Sequence, residues 1–195
     1  LEQRRYTTED GKSAKVRIRQ FPPSDYREDV EERIRLHLGS GTQNWTGWID
    51  IDGFSGGGTN KPDITHDIKT LPMFEDNSVD EIMLIHVFEH LYLWEAMKAL
   101  KEWYRVLKVG GKLTIEVPCL DYILGHFNNR AKDPYLTMFG LYGEQTAEEE
   151  EMTHRWCYSK SQLTNDLKVA GFSDVKLKNA VYHRIERDIR VEGVK

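Results

Sequence analysis

The sequence is poor in several things, and each scarcity excludes a class of protein. It has only two cysteines, Cys119 and Cys157, too few for a disulfide scaffold or a four-cysteine zinc site. No apolar run approaches the roughly 20 residues needed to span a bilayer. The first residues, Leu1-Glu2-Gln3-Arg4-Arg5, are polar, unlike a secretory signal. The expected setting is therefore soluble, reducing and cytoplasmic. Basic residues are outnumbered, 27 Lys and Arg against 32 Asp and Glu, for a net charge of −5. That balance argues against a protein that grips a nucleic-acid backbone by bulk charge. What remains is an ordinary globular chain of 195 residues, 39% hydrophobic and 11% aromatic. At about 150 residues per domain this is one domain with room for an insertion.

Residues 1–33 are charged and weakly patterned and read as an N-terminal extension. Val16 and Ile18 alternate with Arg17 and Arg19 as in an edge strand, and Glu28 to Arg33 suits a short helix. From Ile34 the pattern sharpens, and 34–195 reads as the main domain. Strands are expected at Ile34–Leu38, Trp48–Asp52, Ile64–Ile68, Ser78–Ile85 and Leu113–Val117. A helix is expected over Leu91–Lys108, with Leu93, Met97, Leu100, Tyr104 and Leu107 as its buried stripe and Gly110-Gly111 as its stop. Residues 120–158 look like a lid or insertion, rich in aromatics and acids and showing little helical periodicity. A helix from Ser161 to Ala170 capped by Gly171, then a hairpin containing Val175, Leu177, Ile189 and Val191, complete the chain. Strands alternating with helices give an α/β, doubly wound, mostly parallel sheet with an antiparallel C-terminal hairpin.

Such sheets bind ligands beyond the carboxyl ends of their strands. Polar residues stand at four of those ends: Gly39-Ser40-Gly41, Asp50 and Asp52, Asp67, and His86. Gly39-Ser40-Gly41 reads either as a plain strand-to-helix turn or as a close backbone approach to a ligand. The dinucleotide fingerprint needs a third glycine where Asn44 stands, which counts against an NAD enzyme. Asp50 and Asp52 share a strand face. A carboxylate at that tip can accept from both hydroxyls of a ribose, or the pair could hold a divalent cation as in some nucleotide-sugar transferases. If a helix begins near His86, then His86, Glu89 and His90 cluster, and two imidazoles with a carboxylate are plausible metal ligands. The plainer alternative makes Glu89 and His90 structural residues of a helix start.

The ordered set Gly39-x-Gly41, Gly47-Trp48-x-x-x-Asp52, Asp67-Ile68-x-x-Leu71-Pro72, Asp80-Glu81-Ile82 leading to His86-x-x-Glu89-His90-Leu91, and Arg105-Val106-Leu107-Lys108-x-Gly110-Gly111 resembles class I S-adenosylmethionine-dependent methyltransferases. Within them it is most similar to the type 11 small-molecule branch. The resemblance implies a Rossmann-like fold and S-adenosylmethionine as cofactor. It implies that Leu38, Gly39, Ser40 and Gly41 lie under the methionine and ribose, and that Asp52 takes the ribose hydroxyls. Asp67 and Ile68 would meet the adenine, and His86 would lie beside the reacting centre. Where the family often has an acid, two residues before the first glycine, this chain has His37. If the methyl acceptor is a hydroxyl, a base must take its proton, and His154, His86 and His90 are the candidates, His154 first.

No metal belongs to this expected site. His86, Glu89, His90 and His154 form an alternative set. His154 enters it because a distant histidine can complete a similar Glu-x-x-Glu-His cluster in methyltransferases of ubiquinone synthesis and small-RNA 3′ ends. The expected partner is a small-molecule acceptor, with no membrane and no nucleic acid. The rival functions are a metal-dependent nucleotide-sugar transferase using Asp50 and Asp52, and a non-catalytic cofactor-binding module.

Overall fold

A computed structural model describes residues 3–7, 13–17, 33–53, 61–128, 134–145, 150–182 and 186–195. The expected helix at Glu28–Arg33 lies outside these residues except for Arg33. Near the N-terminus, β1 (Gln3–Thr7) and β2 (Ser13–Arg17) pair antiparallel as a two-stranded sheet of their own.

The main sheet has seven strands: β3 (Arg35–Leu38), β4 (Ile49–Asp52), β5 (Ile64–Thr65), β6 (Val79–Ile85), β7 (Leu107–Pro118), β8 (Ser173–Asn179) and β9 (Asp188–Val194). Their order is β5-β4-β3-β6-β7-β9-β8, with β5 through β7 parallel and β9 antiparallel to both of its neighbours. The strand order reverses between β3 and β6, so a crevice opens beyond the carboxyl ends of those two strands. The sheet is as expected, with the Ile64 strand shorter, ending at Thr65.

Connections depart from expectation in ways that matter for the site. No helix follows the glycine turn. The whole of 39–48 is turn and loop, too short a connection for a helix with its two turns. Helix α1 (Leu93–Val106) buries Ala96, Ala99, Leu100, Trp103 and Val106, while Leu93 is 40% exposed. Of the expected stripe, Leu100 and Leu107 are buried and Met97 and Tyr104 are half-buried against the core, so the buried face is rotated from the expected one chiefly away from Leu93. Trp103 decides between them: it is wholly buried, donates its indole N–H to the Ile68 carbonyl at 2.8 Å, and packs against Phe88. Gly110-Gly111 does not cap the helix, which runs through Leu107 directly into β7. Gly171 does cap α4 (Lys160–Ala170), in the left-handed conformation.

The segment after β7 also differs. It contains two helices, α2 (Leu120–Asn128) and α3 (Pro134–Tyr142). The sequence of α3, PYLTMFGLY, is apolar nearly all round, so no one-sided stripe marked it as helical. The segment returns close to where it left: Leu120 N–H donates to the Tyr158 carbonyl at 2.9 Å.

Candidate functional site

The first strand tip is shaped by its glycines. A Cβ on Gly39 would overlap the Val87 side chain, so this glycine is spent on packing β3 against the segment after β6. Gly41 is different. Its φ is +56°, and a Cβ there would meet nothing within 4 Å. Between them Ser40 is buried, with its hydroxyl unpaired.

The two aspartates of β4 have separate jobs. Asp50 is 1% exposed and already occupied: it accepts from His37 Nδ1 at 2.9 Å, Trp45 N–H at 3.1 Å and Asn44 Nδ2 at 3.3 Å. His37 stacks on Trp45, which leans in turn on Tyr182. Asp50 is thus the anchor of the 39–48 loop, and the Asp50–Asp52 pair is not arranged to hold a cation. Asp52 is half-buried at the strand end and accepts from Gly41 N–H at 2.7 Å, which sets its carboxylate beside the glycine turn. Asp67, after β5, is exposed; it accepts from the Lys69 N–H at 2.9 Å and lies 3.4 Å from the Lys69 ammonium. Ile68 beside it is buried.

Beyond β6 the chain turns sharply at His86, whose φ is +54°. Its Nε2 lies 2.9 Å from Asp188 at the start of β9, and its Nδ1 lies 3.0 Å from Glu89 Oε1. Burial opposes a charge on this ring, yet the hydrogen bond to Asp188 and the nearby Glu89 carboxylate win, raising its pKa to about 9. His86 therefore keeps its proton at neutral pH and serves poorly as a base. Asp188, itself buried, is held well below the usual carboxylate range: burial works against this, and His86 and Arg187 outweigh it. The local sequence pattern assigns Asp188 no role at the site. Its place comes from strand order, which sets the start of β9 across β7 from the end of β6, within reach of His86.

The 3-10 turn Phe88–His90 carries Glu89 and His90. Glu89 is 1% exposed, and neither of its oxygens has a hydrogen-bond partner; the His86 contact is close but off the direction a hydrogen bond needs. Burial would raise its pKa, but His86 and the other histidines around it hold it down. The end of the 120–158 segment is tied onto this turn, because Arg155 and Trp156 N–H groups donate to the Glu89 carbonyl at 2.8 and 3.1 Å. The tie delivers His154, whose Nε2 lies 3.9 Å from Glu89 Oε1 and whose ring meets that of His90 edge-on. Gly143 makes the close pass possible: its φ is +77°, and a Cβ would strike Met152 and His154. Desolvation pushes the His154 pKa down, with Glu89 pulling the other way. Of the expected residues, then, Leu38 to Gly41, Asp52 and His86 line the ends of β3, β4 and β6. His86, Glu89, His90 and His154 converge on one spot, and Asp67 and Ile68 stand after β5.

A family model described as a methyltransferase domain, type 11, matches residues 57–115, which include Asp67, Ile68, His86, Glu89 and His90 but not the glycine turn or Asp52. Among solved structures, a SAM-dependent methyltransferase from Archaeoglobus fulgidus is similar with a TM-score of 0.56 at 19% identity, over 84% of this chain and 86% of that one. One from Methanosarcina mazei gives 0.57 at 18% identity, over 85% and 94%. The 1,6-didemethyltoxoflavin-N1-methyltransferase of Burkholderia thailandensis, solved with its substrate and S-adenosylhomocysteine, gives 0.57 at 12% identity, over 83% and 70%. No curated protein sequence matches the chain. The fold is that of class I S-adenosylmethionine-dependent methyltransferases, and the match of residues 57–115 to a methyltransferase domain supports an enzyme with S-adenosylmethionine as its cofactor. Among the described residues no helix is long and apolar enough to cross a membrane.

Proposed function

We propose that this enzyme transfers the methyl group of S-adenosylmethionine to a nucleophilic atom of a small molecule or sugar-containing metabolite. The sulfonium already activates the methyl, so the protein's task is chiefly alignment, which contributes about 7–11 kcal/mol to such reactions. The cofactor is read as lying across the ends of β3, β4 and β6: backbone of Leu38 to Gly41 beneath it, the Asp52 carboxylate on its ribose, Asp67 and Ile68 at its adenine, His86 beside the reacting centre. Residues 1–33 form an extension, and 120–158 act as the lid over the acceptor.

The observation that supports a small acceptor is the tie between lid and sheet. The lid leaves at the end of β7, and its far end is bonded to the Glu89 carbonyl just past β6, so it spans the strand ends where the methyl group would sit. A site roofed in this way suits a compact acceptor better than a polymer. Within it, His154 donates Nδ1–H to the Gly140 carbonyl at 3.1 Å, which leaves its Nε2 lone pair free to take or orient an acceptor proton. The test is calorimetric titration with S-adenosylhomocysteine, followed by an acceptor panel read through S-adenosylhomocysteine release. Micromolar binding, on the order of −8 kcal/mol, is expected. Absence of heat at millimolar ligand refutes the cofactor placement; turnover only on polymeric acceptors refutes the small-molecule reading.

A further inference from the structure

We propose that Glu89, His90 and His154 form a binding site for one divalent transition-metal ion of the zinc or cobalt type. One atom from each residue, a carboxylate oxygen and two ring nitrogens, lies within 4.8 Å of the others. Three features make this more than a chance cluster.

The first is tautomeric. His90 Nδ1 is 3.1 Å from the Thr153 carbonyl, and His154 Nδ1 is 3.1 Å from the Gly140 carbonyl. A carbonyl only accepts, so both rings carry their proton on Nδ1. In the neutral rings both Nε2 atoms are then bare lone pairs. A second ring nitrogen donating to a backbone carbonyl is the habitual support of a metal-bound histidine. The second feature is Glu89. A carboxylate at 1% exposure with neither oxygen hydrogen-bonded is costly, and it faces those lone pairs. A cation would engage both lone pairs and complete the partners of the carboxylate, which otherwise has only the His86 contact at 3.0 Å. The third is the role of His86. With one nitrogen on Asp188 and the other against Glu89, it has no lone pair to give. It is therefore excluded as a ligand and instead fixes the carboxylate through Oε1.

Two imidazoles and one carboxylate are a donor set for zinc-like ions rather than for calcium or magnesium, which prefer oxygen throughout. Tetrahedral ligands at about 2.0–2.2 Å from an ion stand about 3.4 Å apart, so small side-chain rotations bring these atoms into range. Three protein donors leave a position for water or for an acceptor oxygen. The site stands on this local geometry; it draws on the same His154 Nε2 lone pair as the acceptor reading above, so with the ion bound His154 serves as a ligand rather than as a free base.

The test uses the full chain, stripped with chelator and titrated with Co²⁺ alone, followed by visible absorption, and with Zn²⁺ alone, followed by calorimetry. One equivalent should bind, with a Co²⁺ spectrum of low-coordinate nitrogen and oxygen ligation. His90→Ala, His154→Ala and the isosteric Glu89→Gln should each weaken binding at least tenfold. If an alanine variant fails to fold, Glu89→Gln, checked by near-UV circular dichroism, decides the matter. Equal affinity in wild type and Glu89→Gln, or no stoichiometric binding by the wild type, overturns the proposal. S-adenosylhomocysteine titration of the same samples separates the two readings, since it reports the cofactor crevice whether or not the ion binds.

Discussion

Replacing Asp52 with alanine, and Asp50 with alanine in a parallel variant, should separate binding from folding two residues apart on one strand. Asp52 is half-buried at the tip of β4, and its carboxylate accepts from Gly41 N–H at 2.7 Å. If it holds the cofactor ribose, its loss removes a charge-assisted bond of about 1.5–3 kcal/mol. At about 1.4 kcal/mol per decade, that is a 10- to 150-fold weaker S-adenosylhomocysteine affinity. Stability should fall by no more than about 1.5 kcal/mol, the value of an ordinary hydrogen bond. Asp50 should behave oppositely. Its removal strands His37 Nδ1 and the Trp45 N–H inside the protein. Each unsatisfied buried donor costs about 1–3 kcal/mol, so the pair costs about 2–6 kcal/mol. Against a total stability of about 5–15 kcal/mol this is a large loss, and several degrees of melting temperature should go with it. The assay is calorimetric titration with S-adenosylhomocysteine beside scanning calorimetry on both variants. A larger affinity loss at Asp50→Ala, with its melting temperature unchanged, refutes the assignment of roles.

Other expectations follow from the same geometry. His154→Ala should lower turnover on the acceptor at least a hundredfold while leaving S-adenosylhomocysteine affinity within about twofold; normal turnover would reduce His154 to a packing residue. Trp103→Ala should destabilise by about 3–5 kcal/mol in chemical denaturation, and Leu93→Ala by well under 1; the reverse order would mean that α1 faces the core with its other stripe. Burial pushes the Cys157 thiol up to about 12 and raises Cys119 as well. At pH 8 only about one Cys157 in ten thousand is then thiolate, so iodoacetamide should label the native chain far more slowly than the urea-unfolded chain. Equal rates would show the thiols to be accessible and unperturbed.

The sequence by itself determined the sheet and its class. Short apolar runs ending in glycine, aspartate or histidine announce parallel strands with a ligand edge, because strand ends in such sheets must be polar where they meet a ligand. The cap at Gly171, the C-terminal hairpin and the polar tips Gly41, Asp52 and His86 were all legible in that local pattern. Tertiary structure decided what local pattern leaves degenerate. Two stripes on α1 share one period, and only the Trp103 indole reaching Ile68 chooses between them. Asp50 and Asp52 look alike in a strand, and only the fold of the 39–48 loop over one of them makes it an anchor. The helix α3 was hidden because its run is apolar nearly all round and so shows no single face. The meeting of Glu89 with His154, and of His86 with Asp188, depends on contacts across 65 and 102 positions of chain, the first spanning the lid and the second fixed by strand order. Sequence periodicity reaches a few residues along the chain. Which side chains are left without hydrogen bonds inside the protein is settled only when distant segments are brought together.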